Sequence, residues 1–236
     1  MEQEANDDLL SAFESRMREC PGWKVFLAFR RIKGSHYAFR RNYRELKSAL
    51  DVYQQPGITI GKLYVDGDLS IERYMREINR LALNYLASAE ALLDRTASEI
   101  IELYKQHTFR AESFKETKGN SSANFRCFMR GLRHYAAHCN LPLTVAEFTV
   151  QVDRTLLGRI MLRIPKLREH SKYWKGKGKR YMASMPDQLD VAGLFADHKA
   201  SVIKLFDWLA DRQNEIHRDE LDELAKLRRQ LHEATE

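Results

Sequence analysis

Between residues 70 and 104, apolar side chains recur at three- and four-residue steps: Tyr74, Ile78, Leu81, Tyr85, Ala89, Leu92, Leu93, Ile100 and Tyr104. A stripe held near the 3.6-residue period over this length predicts one long amphipathic helix with a single face to bury. Ser70 supplies its N-cap. A helix of that kind belongs in a bundle, and the rest of the chain supplies the partners. Residues 4–19 and 36–53 read as helices set apart by Pro21-Gly22 and Gly34-Ser35, and the second stops at Gln54-Gln55-Pro56-Gly57. Ile58, Ile60, Leu63 and Val65 suggest a short strand pair. Residues 107–120 are polar and read as a loop that delivers a cap to a helix over about 122–139, closed by Leu141-Pro142.

The period then drops to two. Phe148, Val150 and Val152 alternate with polar residues, as do Ile160, Leu162 and Ile164, which predicts a β-hairpin near 143–164 turning at Asp153-Arg154. Helical spacing returns over 186–233, ending in the stripe Leu221, Leu224, Leu227 and Leu231. The expected fold is mainly α (α+β), a helical bundle with a small β-hairpin insertion and a C-terminal helical extension. The 236 residues, 44% apolar and 31% charged, suffice for a sizeable core. Their longest apolar run, Val25 to Phe29, is far too short to cross a bilayer, so no membrane partner is expected. The acidic start Met1-Glu2-Gln3-Glu4 lacks the pattern of a secretory leader. Cys20, Cys127 and Cys139 are odd in number and lack metal-ligand spacing, which points to reduced thiols and a cytoplasmic protein.

Charge is unevenly distributed. Residues 109–180 hold 16 Lys and Arg against 5 Asp and Glu, a balance of +11, whereas residues 207–236 hold 5 against 9, a balance of −4. A local positive field attracts polyanions, with nucleic acid the commonest. A solvated surface that aids solubility explains the same count. On a helical wheel, Phe125, Phe128, Met129, Leu132, Tyr135, Ala136 and Cys139 share one side of the 122–139 helix; Arg130, Arg133, His134 and His138 occupy the other. His138 lies in the last turn, where unpaired carbonyls and the dipole favour imidazolium. A solvated cationic face that complements the dipole is the simpler reading. His134 and His138, one turn apart, lack the accompanying ligands of a zinc site, so no metal is expected.

The segment Arg133-His134-Tyr135-Ala136-Ala137-His138 resembles the Arg-x4-6-His signature of HEPN (higher eukaryotes and prokaryotes nucleotide-binding) domains, whose commonest form is Arg-Asn-x-x-x-His. Phe128 to Pro142 is similar to the Leu-Arg-Asn-Tyr-x-x-His-x-x-Leu-Pro segment of bacterial HEPN-like proteins, with His134 standing where the family usually has Asn. The resemblance implies one HEPN-like domain over residues 1–236 and a metal-independent endoribonuclease without cofactor. Its helices would meet across a homodimer, in a toxin or antiviral defence factor that has an antitoxin or other protein partner. His138 would then move protons during attack of the RNA 2′-hydroxyl on its phosphate, and Arg133 would hold phosphoryl oxygens. His134 joins them as a catalytic candidate, Arg130 as an RNA contact, and Glu90 or Asp94 could orient Arg133.

A second basic element, Lys172-Tyr173-Trp174-Lys175-Gly176-Lys177-Gly178-Lys179-Arg180-Tyr181, interleaves cations with rings. Lys172, Lys175, Lys177, Lys179 and Arg180 can follow a phosphate chain while Trp174 stacks on an unpaired base. A loop with Trp174 anchored in the core fits the same residues. Walker, dinucleotide and Gly-x-Ser-x-Gly motifs are absent from the sequence. Two alternatives to a ribonuclease remain: a non-catalytic helical module that binds RNA or protein, and an assembly subunit recruiting a partner through the C-terminal leucines.

Overall fold

A computed structural model describes residues 2–53, 68–104, 121–150 and 156–233. Helix α1 (Glu2–Glu19) is followed at once by α2 (Pro21–Tyr53), whose first residue is a proline, placed where its missing N–H costs nothing. The break expected at Gly34-Ser35 does not occur. Ile32, Phe39, Leu46 and Leu50 are buried along one face of α2, and that packing outweighs the roughly 1 kcal/mol that an interior glycine costs a helix. Helix α3 (Asp68–Leu103) begins before Ser70, which therefore lies inside it rather than capping it. Its buried residues include Ile78, Leu81, Tyr85, Ala89, Leu92 and Ile100, the stripe that the spacing predicts. The strand pair expected at 58–65 and the loop expected at 107–120 lie outside the described residues.

Cross-contacts fix the helix directions. Arg31 grips Glu99, Asn42 donates to the Asn84 carbonyl and Tyr74 to the Ala49 carbonyl, so α2 and α3 run antiparallel. Helix α4 (Ser121–His138) runs back along α3: Arg130 meets Glu90, and the Leu141 N–H donates to Asn79 Oδ1 at 2.6 Å. Helix α7 (Val191–Ile216), N-capped by Asp190, closes the bundle; its His198 meets Tyr85, and its Phe206 stacks on His36. The core is shared by α2, α3, α4 and α7.

Strands β1 (Leu143–Val150) and β2 (Leu156–Arg163) form the expected antiparallel hairpin, with a register irregularity between Ala146 and Thr149; its turn at 153–154 lies outside the described residues. Ile160 and Leu162 are buried while Arg159 and Arg163 are exposed, as the alternation requires. Ile164 departs from the strand to open a short helix, α5 (Ile164–Glu169). The sheet also gains a third strand, β3 (Gln188–Asp190), on β2, so the segment 186–233 is not wholly helical. The leucine stripe of α8 (Arg218–Glu233) is spent within the chain: Leu224 and Leu227 pack with Met17, Cys20, Trp23 and Phe26 of the first two helices. Leu231 packs against that cluster, and Leu221 stays half-buried outside it. No helix among the described residues is long and apolar enough to cross a membrane.

Candidate nucleic-acid interface

Phe128, Met129, Leu132 and Tyr135 of α4 are buried, while Arg130, His134 and His138 are exposed, which reproduces the two faces read from the wheel. The cationic face divides again. Arg130 Nε donates to Glu90 Oε1 of α3 at 2.8 Å, and Arg133 Nε lies 3.2 Å from Oε2 of the same carboxylate. The second contact is an ion pair without hydrogen-bond alignment, so Oε2 accepts no hydrogen bond from the described residues. Asp94 lies a further 3.8 Å from Arg130. The Glu90 hydrogen bond, more than its charge, holds the Arg130 guanidinium even more firmly protonated than usual. Glu90, whose side chain is only 16% exposed, is thus the orienting acid for both arginines.

His138 turns to a different neighbour. Its ring stacks on Tyr173 at 5.8 Å between centroids, and the Lys172 ammonium lies 5.2 Å from the centre of the same tyrosine ring. Arg133 and His138 are five residues apart, about 140° around the helix, and no hydrogen bond or ion pair joins them among the described residues. The structure therefore groups Arg130 with Arg133 on Glu90, and His138 with Tyr173, and does not bring the arginine pair and the histidine together within one protomer. His134 is exposed between the two groups.

The lysine-rich element is ordered, and its fold follows from one ring. Trp174 is 2% exposed; its indole N–H donates to the Phe128 carbonyl at 2.9 Å, and its ring stacks on Phe128 and tilts against Tyr135. Gly131 makes room for it, since a methyl group there would overlap the indole. Trp174 as a base-stacking contact is therefore corrected: both its ring and its donor are used in the core. Around this anchor, Ser171–Tyr173 forms a 3-10 turn and Gly176–Ala183 a helix, α6, whose first residue takes the left-handed φ of 47° that glycine adopts without strain. Gly178 and Met182 of α6 are buried against the bundle, which leaves Lys177, Lys179 and Arg180 of that helix exposed, and Lys172 and Lys175 before it are exposed as well. Tyr173, half-buried beside His138, is the ring on this surface that sequence reasoning did not single out; its place next to Lys172 in the motif was the available signal.

The exposed groups of α4 and α6 thus make one cationic surface, pinned by a buried tryptophan. Among the described residues, no group of three or more His, Cys, Asp or Glu is placed to hold a metal ion. No family model matches the chain, and no curated protein or solved structure matches it.

Proposed function

We propose that this protein binds single-stranded RNA across the cationic surface of α4 and α6. The observation that carries the reading is the anchored presentation of Lys172, Lys175, Lys179 and Arg180 beside the His138–Tyr173 stack. Cations held on a docked helix meet a phosphate chain with less ordering cost than cations on a free loop. The half-buried Tyr173 offers the ring contact that Trp174 does not.

A second reading, cleavage, is favoured by His138 alone: an exposed imidazole on the last residue of α4, stacked on the same Tyr173 ring that the Lys172 ammonium approaches. General acid–base chemistry on the 2′-hydroxyl needs the imidazole and a nearby cation for the developing charge. In that reading a second copy of the chain completes the site with its own arginine pair, in line with the homodimer, defence role and cytoplasmic setting that the HEPN resemblance implies.

One experiment addresses both. Fluorescent single-stranded RNA is titrated with the full chain at several salt concentrations in EDTA, and the RNA is then assayed for 2′,3′-cyclic phosphate ends. Binding is expected to fall steeply with salt, and Lys175→Glu with Lys179→Glu should flatten the slope by roughly 0.7 for each phosphate that is no longer neutralised. Salt-independent binding, or an unchanged slope in that double variant, overturns the RNA interface. Cyclic ends that vanish in His138→Ala establish cleavage; intact RNA at full occupancy removes it.

A further inference from the structure

On the flank of α4 away from Trp174, helices α3, α4 and α7 enclose a groove of about 430 Å³ that adjoins the cationic surface. Its walls are apolar: Leu93, Ile100, Met129, Leu205, Phe206 and Trp208 are among them. His198 contributes to the wall with its Nδ1 already engaged by the Tyr85 hydroxyl at 2.9 Å, and burial drives its pKa down to about 4, so it is neutral there. The polar groups sit on α3, α4 and α6. Glu90 is matched by two guanidiniums and Asp94 lies near one of them, while Lys177, exposed, has no acidic partner among the described residues. Four cations, Arg126, Arg130, Arg133 and Lys177, thus line the groove against two carboxylates, Glu90 and Asp94, which leaves a positive surplus among the described residues to which Lys177 contributes.

Such a space lies within the roughly 300–1,000 Å³ typical of small-ligand sites, which pair apolar walls with a few placed polar groups. We propose that the groove is a binding site for an amphipathic anion of the fatty-acid class, its alkyl chain between α3 and α7 and its carboxylate at Lys177. Burying the chain supplies the affinity. The ammonium supplies the selection for an anion over a neutral amphiphile. The groove shares Arg130, Arg133 and Lys177 with the cationic surface, but Lys172, Lys175, Lys179 and Arg180, which carry the RNA reading, do not line it, so the two assignments fail separately.

Cys127 gives a local reporter, since it lines the groove and is exposed, whereas Cys139 is half-buried elsewhere and Cys20 is buried. The full chain is titrated with laurate and with dodecanol by calorimetry, and iodoacetamide alkylation of each cysteine is followed by mass spectrometry. Laurate is expected to bind once per chain, to slow alkylation of Cys127 but not of Cys139, and to bind about tenfold more tightly than dodecanol. Lys177→Glu should erase that preference, and Ala97→Trp, which fills the groove, should abolish binding of both. Unchanged alkylation of Cys127 at saturating laurate, or full binding by a folded Ala97→Trp, overturns the site. Equal binding of laurate and dodecanol overturns its anionic character. The Cys127 readout uses the unmodified chain, so a variant that fails to fold leaves the test intact.

Discussion

The two flanks of α4 are packed in opposite ways. On one, Gly131 admits the Trp174 indole, and at Gly178 a Cβ would meet the Cys127 carbonyl at 2.8 Å, so α6 lies as close to α4 as backbones allow. On the other, the larger residues of α3 and α7 hold the helices apart and leave a groove of about 430 Å³. Close approach through glycine fixes a position; separation by half-buried apolar side chains leaves room for a guest. One helix therefore both immobilises a cationic surface and walls a space behind it.

The sharpest way to break this contrast is at its tight side. Trp174→Ala removes a buried ring and its hydrogen bond to the Phe128 carbonyl, and should cost about 3–5 kcal/mol by urea denaturation. Trp208→Ala, half-buried on the groove side, should cost markedly less in the same assay. Equal losses would mean that the flanks do not differ in packing.

A smaller effect is expected from pH, at the floor of the loose side. His198 is buried against Tyr85 and edge-on to Phe125, and desolvation alone lowers its pKa from 6.5 to about 4. Between those values the unfolded chain binds a proton that the folded chain refuses, so this contribution is full above pH 6.5 and declines as pH falls toward 4. The loss amounts to about 3 kcal/mol across that range. His198→Gln retains an acceptor for Tyr85 without a titrating ring, and its denaturation midpoint should vary less than the parent's between pH 4 and pH 6.5. Identical pH profiles would place the parent's titration elsewhere.

What could be read from the sequence follows the same division. The α3 stripe and the Ile160–Leu162 alternation were legible because each rests on a side-chain period that only one backbone satisfies. The continuity of α2 was hidden, since Gly34 is a local breaker and the burial that overrides it comes from α3, far along the chain. Residues 172–181 misled in a related way. Trp174, Gly178 and Met182 recur at four-residue steps and are all buried, yet the glycine in that series reads as loop until the helix it packs against is known. Glu90 was legible as an acid within reach of Arg133, but not that it would bind Arg130 more closely; the divergence of His138 from Arg133 needed Tyr173 in place.

The smallest expected effect sharpens the comparison at its loose side. Ala97 is half-buried in the groove wall on α3, so Ala97→Leu adds apolar atoms to open space rather than to packed atoms. Leucine is nearly as good a helix former as alanine, so the added apolar burial should raise stability by up to about 1 kcal/mol. Gly131→Ala is the matched control, adding a single carbon where the Trp174 ring already lies, and should destabilise by about 1–3 kcal/mol. Opposite signs in urea denaturation would establish that α4 is closed on one flank and open on the other. A loss of stability in Ala97→Leu would show that the groove is filled in solution, and the asymmetry of the two flanks would then have to be abandoned.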